Sequence, residues 1–308
     1  MESYPKTLLE FEERFATEEA CLEYLFKIRW PEGFRCLQCG HDKAWPTKRS
    51  LFHCAHCGFQ ASVTAGTIFQ DTKKPLRLWF HAIWHLTSQK YGANALGLQR
   101  VLDLGCYQTA WTWLHKLRCA MVRPGRDRLS GTVQVDEIYM GGEKPGKRGR
   151  GAAGKALVVV MVQVKEGNIG RIRLRRVADA SGHSLEGAVK EGVEPGSTVQ
   201  TDGWEGYVGL AEQGYTHEIV RKEAAVGGNL LPKVNRVVAL LKRWLLGTYQ
   251  GRVEASHLDY YLDEFTFRFN RRTSRSRGKL FYRLVQQAVA IDPVPARDIH
   301  GSEPPKYR

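Results

Sequence analysis

Apolar and polar positions change rhythm partway along this chain. In TEEACLEYLFKIRW, Cys21, Tyr24, Leu25 and Ile28 recur at helical spacing. Thr17 stands before them as an N-cap, with acids in the first turn. PLRLWFHAIWHLTSQKYG repeats the rhythm with Leu76, Trp79, Phe80, Ile83 and Leu86 inward, and Pro75 suits a first turn. ANALGLQRVLDLGCYQTAWTWLHKLRCAM predicts two further helices around DLGC. After the basic linker RPGRDR the pattern becomes that of strands. GTVQVDEIY, KALVVVMVQV and IGRIRLRRV form the first three, and a helix begins in SGHSLEGAVKEGV. STVQTD is a fourth strand, GWEGYVGLAEQG a helix or turn, and THEIV a short fifth strand. Helices follow over 232–247, 256–270 and 277–290.

Three meandering strands, a helix, a strand, a helix, a strand and closing helices is the order of an α/β domain of the ribonuclease-H-like (integrase-type) class. The chain therefore divides into an N-terminal helix (1–30), a ribbon (31–70), a helical region (71–124), this α/β domain (129–291) and a disordered tail (292–308). Within 71–124, the short Gly-bearing turn between two helices fits a helix-turn-helix. Gln108, Thr109, Thr112 and Lys116 would then face a groove; a small helical connector accounts for the same pattern.

Composition narrows the partners. The 308 residues are 43 % hydrophobic, enough for a real core. Forty-six Lys and Arg against 32 Asp and Glu leave a net charge of +14, and the pI is about 9.5. Such a balance favours a polyanion, most often nucleic acid. The longest apolar run, ALVVVMV, falls far short of the ~20 residues that span a bilayer. No signal-peptide core is present in MESYPKTLLEFEERF, so no membrane partner is expected.

The cysteine count of seven is odd, and four of them form two CxxC pairs, Cys36 with Cys39 and Cys54 with Cys57. That usage fits a reducing cytoplasm and a metal site better than a disulfide scaffold. Each CxxC turn puts two thiolates on one side of a knuckle, and two facing knuckles give the four-sulfur shell Zn²⁺ accepts. With four thiolates the shell is closed, so the zinc is structural, and His41, His53 and His56 are not needed. Gly40 and Gly58 follow the knuckles, where positive φ is useful.

The acids carry the chemistry. Asp136 lies in the first strand of the α/β domain and Asp202 ends the fourth. In the expected fold those strands are neighbours, so two like charges meet at one edge of the sheet unless a cation lies between them. Hard oxygen donors suit Mg²⁺ or Mn²⁺, and a pair of such ions can clamp a phosphodiester undergoing displacement. Glu137 points to the opposite face of its strand, as a supporting residue. In LPKVNRVVALLKRWLLGTYQG, Val234, Val237, Val238, Leu241 and Leu245 form the buried stripe. Asn235 and Lys242 share a face beside it, almost two turns apart. Periodicity alone leaves them open as a metal-binding Asn with a phosphate-binding Lys, or as ordinary surface residues. Glu264, with Arg271 at the same spacing, is a rival third acid; its helix carries Phe265, Phe267 and Phe269 and reads mainly as core.

Five segments in order resemble one family: EEACLEYLFKIRWPEGFRCLQCG, VQVDEIYMGG, QTDGWEGY, LPKVNRVVALLKRWLLGTYQG and HLDYYLDEFTFRFNRR. Nearly end to end, the chain resembles insertion-sequence transposases of the DDE superfamily, in the zinc-ribbon, ISXO-like branch related to Merlin elements. The resemblance implies that Asp136 and Asp202 are the first two catalytic acids. It also implies that Asn235 is the third metal ligand, where many relatives have Glu, and that Lys242 is the basic residue beyond it. It implies a nucleoid-associated, cytoplasmic enzyme acting on double-stranded DNA, both element ends and target, with at least a dimer in the synapse. GGEKPGKRGRG and RFNRRTSRSRGKLFYRL are expected to contact phosphates. A DNA-binding regulator without catalysis and a structure-specific nuclease on the same fold are the competing readings.

Overall fold

A computed structural model describes residues 3–47, 50–123, 125–141, 155–221, 230–251 and 253–301. In chain order the elements begin with α1 (Leu8–Arg14), α2 (Glu18–Arg29), β1 (Ala44–Pro46), β2 (Leu51–Cys54) and β3 (Gln60–Ser62). Three helices follow, α3 (Leu76–Ser88), α4 (Ala95–Leu102) and α5 (Tyr107–Cys119). Then come β4 (Thr132–Met140), β5 (Ala156–Lys165), β6 (Asn168–Val177), α6 (Gly182–Gly192) and β7 (Thr198–Thr201). A 3-10 helix (Glu205–Leu210) and β8 (Thr216–Ile219) precede α7 (Pro232–Tyr249), α8 (Leu258–Phe269), α9 (Arg277–Ala288) and α10 (Ala296–His300). No helix among the described residues is long and apolar enough to cross a membrane.

Two compact units divide the chain. One holds residues up to 124 together with 274–301, the other residues 125–273. In the first, the N-terminus forms two helices where the sequence predicts one. Thr7 and Thr17 cap them, each hydroxyl accepting an amide hydrogen bond at 3.2 Å, from Glu10 and Ala20. The earlier helix is only seven residues long and fully buries only Phe11, too little for a periodicity to register. The strands β1, β2 and β3 form an antiparallel ribbon.

The helix expected to close the α/β domain belongs instead to this first unit. Phe281 of α9 is fully buried among Phe11, Phe15, Phe80 and Trp84. Its apolar stripe predicts a helix and does not say which core that stripe completes. The tail also departs from expectation. Residues 296–300 form α10, whose Ile299 is fully buried; 302–308 lie outside the described residues.

The second unit is built on a five-stranded mixed sheet in the order β6-β5-β4-β7-β8. β4 and β6 run antiparallel to β5, whereas β7 is parallel to both β4 and β8. On one face α6 and the 3-10 helix bury Val133, Val135, Val159, Met161, Leu185 and Val189. On the other, α7 and α8 bury Val158, Val160, Val162, Leu174, Val237 and Leu262. β5 is covered on both faces, which is why its sequence is a continuous apolar run rather than an alternation. Each such side chain contributes about 1.5–3 kcal/mol by leaving water. The edge strand β6 carries ion-paired arginines, Arg175 to Glu191 at 3.1 Å and Arg176 to buried Asp259 at 2.9 Å. Charge along an edge discourages pairing with another strand.

Candidate active site and metal centre

Strand register sets the acids. β4 and β7 pair in parallel through Thr132–Thr198, Val133–Val199 and Gln134–Gln200. Asp136 follows the last of these pairs by two residues on β4, and Asp202 follows it by two, just past the end of β7. A ladder of amides holds this register across three strands. The Gln134 side-chain amide donates to Gln200 Oε1 at 3.3 Å, and Gln200 donates to Glu218 Oε2 of β8 at 3.0 Å. The backbone N–H of Lys233, in the first turn of α7, donates to Gln134 Oε1 at 3.1 Å. The ladder therefore ties the helix to the sheet as well. Sequence reasoning passed over both glutamines, although the signal was present: Val-Gln-x-Asp occurs twice, as VQVD and VQTD.

Asp202 stands exposed just past β7, and its carboxylate accepts the Trp204 N–H at 3.1 Å. Two glycines permit this corner. Gly203 has φ +85°, and a Cβ there would meet Ile219 at 2.7 Å. At Gly206 a Cβ would lie 2.9 Å from the Ala180 carbonyl. Asp136 is half-buried, and one of its carboxylate oxygens accepts the Glu137 N–H at 2.9 Å. Glu137 lies on the opposite face, as alternation requires, and accepts the Tyr207 hydroxyl at 3.0 Å. Burial pushes the Tyr207 phenol far above its usual range, reinforced by the charges of Glu137, Asp136 and Asp202. The Tyr207 hydroxyl thus serves as the donor in its bond to Glu137.

α7 runs along β4 in the same direction. Its Lys233 end is tied to Gln134, and further on Lys242 and Leu245 share a cavity with Tyr139 and Met140. Asn235, half-buried, lies two residues past Lys233, as Asp136 lies two past Gln134. Lys242 is exposed. Glu264 is placed differently. Fully buried on α8, it accepts Arg268 Nε at 2.8 Å and the Tyr249 hydroxyl at 3.1 Å. Such a paired core carboxylate has its lone pairs engaged by protein donors.

The four knuckle cysteines come together in the first unit. Their Sγ atoms all lie within 4.8 Å of one another, with Cys36–Cys57 and Cys39–Cys54 at 3.6 Å. A zinc–sulfur bond of ~2.3 Å gives a tetrahedral edge of ~3.8 Å, so the thiols fit that ion. Among the described residues these four form the one such group of three or more His, Cys, Asp or Glu side chains. Gly40 and Gly58 have φ +73° and +72°, as the knuckles require. His53 stacks on Trp45 at 4.7 Å instead of joining the shell.

Other expected contact residues are more engaged than the sequence implied. Gln108 Nε2 lies 3.0 Å from the His300 ring, and Thr112 Oγ1 lies 3.2 Å from it. The Thr109 backbone N–H donates to Cys106 Sγ, the N-cap of α5, at 3.4 Å. Lys116 is half-buried, and desolvation lowers its pKa. Arg272 covers the Phe269 ring and donates to the Ile169 and Gly170 carbonyls, whereas Arg275 and Arg277 are exposed. Most of GGEKPGKRGRG lies outside the described residues.

Known proteins resemble the chain in both units. Residues 16–60 match the transposase zinc-ribbon domain, and residues 128–270 match the ISXO2-like transposase domain. A protein of Halobacterium salinarum described as an uncharacterized protein in transposable element ISH50 is 25 % identical over 286 residues. That alignment covers 86 % of this chain and 94 % of the relative.

Proposed function

The chain belongs to the ISXO2-like transposases, and from that premise we propose that it binds the terminal inverted repeats of an insertion sequence and cuts and joins DNA there. The observation that carries this reading is the parallel pairing of β4 with β7, since Asp136 follows the last pair, Gln134–Gln200, by two residues on one strand and Asp202 follows it by two on the other. The strand order, three antiparallel strands followed by two parallel ones, supports a ribonuclease-H-like catalytic domain. Asp136, Asp202 and the Asn235 carbonyl would hold Mg²⁺ or Mn²⁺, hard ions matched by oxygen donors. Two such ions, when bound, supply the charge that stabilises attacking and leaving oxygens at a phosphodiester.

The remaining roles fall to the chain itself. The amide ladder holds in register the strands that lead to the two acids. Tyr207 holds Glu137 fixed behind them. Lys242 offers a point charge to a backbone phosphate. Water cuts the bond at the element end and frees a 3′-hydroxyl. That hydroxyl then attacks a target phosphodiester, whose own 3′-oxygen leaves. The zinc ribbon and the α4–α5 pair, read as a helix-turn-helix, would recognise the ends. Holding two ends together requires at least a dimer.

The test is incubation of the full chain with DNA carrying the element's two ends, in Mg²⁺ and in EDTA. The expected products are cuts at the ends and joined molecules, in Mg²⁺ only. Bound but uncut DNA would mark a regulator, and cuts without joining a nuclease.

A further inference from the structure

Beyond the acids, the α/β unit holds a cavity of about 250 Å³ at the end of β4. Met140, Leu245, Leu246 and Val253 form apolar walls, and two basic residues, Lys155 and Lys242, also line it. None of its described lining side chains is acidic. That chemistry disfavours a cation and favours a ligand with an apolar body and an adjoining negative charge. The volume falls below the ~300–1,000 Å³ of drug-sized ligand sites, which disfavours a dinucleotide cofactor.

Location narrows the ligand further. Met140 lies four residues after Asp136, about 13 Å along the strand. Lys242 lies seven residues after Asn235, about 10 Å along α7. A strand whose phosphate sits at the acids therefore passes the cavity mouth a short distance on. We propose that the cavity receives one unpaired nucleobase of the DNA being processed, with Lys155 and Lys242 holding its neighbouring phosphate. A base taken out of the stack needs such a close-walled pocket, and apolar walls accept any base face. This inference rests on the transposase reading and adds to it a requirement for opened DNA near the reacting phosphate.

The experiment uses the full chain with three duplexes: blunt, with a single-stranded 3′ thymidine overhang, and with an abasic overhang of equal length. The thymidine overhang should bind roughly ten-fold more tightly than the abasic one, as expected for one stacked base. With 5-iodouracil in the overhang, irradiation should crosslink the peptide containing Tyr139 and Met140. Leu246 is 66 % exposed, so Leu246→Trp can fill the cavity mouth without disturbing the core, and it should abolish the thymidine preference. A melting curve like that of the unaltered chain would show that this variant is folded. Equal binding of the two overhangs, or crosslinks lying elsewhere, would overturn the cavity assignment and leave the transposase reading intact. Failure to bind any of the three DNAs would overturn both.

Discussion

The cysteine cluster and the acidic pair are candidate metal sites assembled in opposite ways. In the ribbon, four ligands come from two local turns, and their sulfurs converge within 4.8 Å. The catalytic candidates come from β4, the end of β7 and α7, separated by long stretches of chain. Their placement rests on strand pairing and on amides that are not themselves ligands. A closed site is specified by spacing, and an open one by the register of a whole sheet. On the proposed reading the first serves folding, while the second would keep positions that a substrate can enter.

Four substitutions sharpen that contrast. The largest effect is expected from Cys54→Ser. Binding of structural zinc is worth about 10–16 kcal/mol in small domains, so the ribbon should lose its ion and its fold, and end binding with it. Metal analysis showing one retained zinc would break the account of a closed shell. Next comes Glu264→Ala, which removes a fully buried carboxylate that accepts from Arg268 and Tyr249, and should cost about 3–5 kcal/mol of stability in denaturant titration. The metal dependence of the folded fraction should stay unchanged; a shifted dependence would move the third ligand to Glu264. Asn235→Ala should lower cleavage by about 10–100-fold with end binding retained in gel shifts. The smallest effect belongs to Gln200→Ala, which removes two ladder bonds and should cost about 1–3 kcal/mol of stability. Because the ladder sets register, its cleavage rate should fall further than a stability-matched change in the α6 core.

What the sequence made legible follows the same division. The zinc knuckles were complete in the spacing of Cys36, Cys39, Cys54 and Cys57, down to the glycines behind them. The sheet order could be read because strand and helix patterns alternate in that unit, and Asp136 and Asp202 came with it. Glutamine has no strong strand signal, so the ladder could be seen only once pairing partners were known. Ownership of α9 was equally hidden, since the burial of Phe281 depends on aromatics more than two hundred residues earlier. His300 meeting Gln108 and Thr112 is another contact between distant segments that no local pattern encodes.

The central claim is that Asp136 and Asp202 share a divalent ion. Iron substituted for magnesium, with ascorbate and peroxide, generates radicals that cut the polypeptide beside the bound ion. The account predicts cuts close to residues 136 and 202, competed away by Mg²⁺ and lost in folded Asp202→Ala. Cuts that persist unchanged in Asp202→Ala, or that fall elsewhere in the α/β unit, would contradict it.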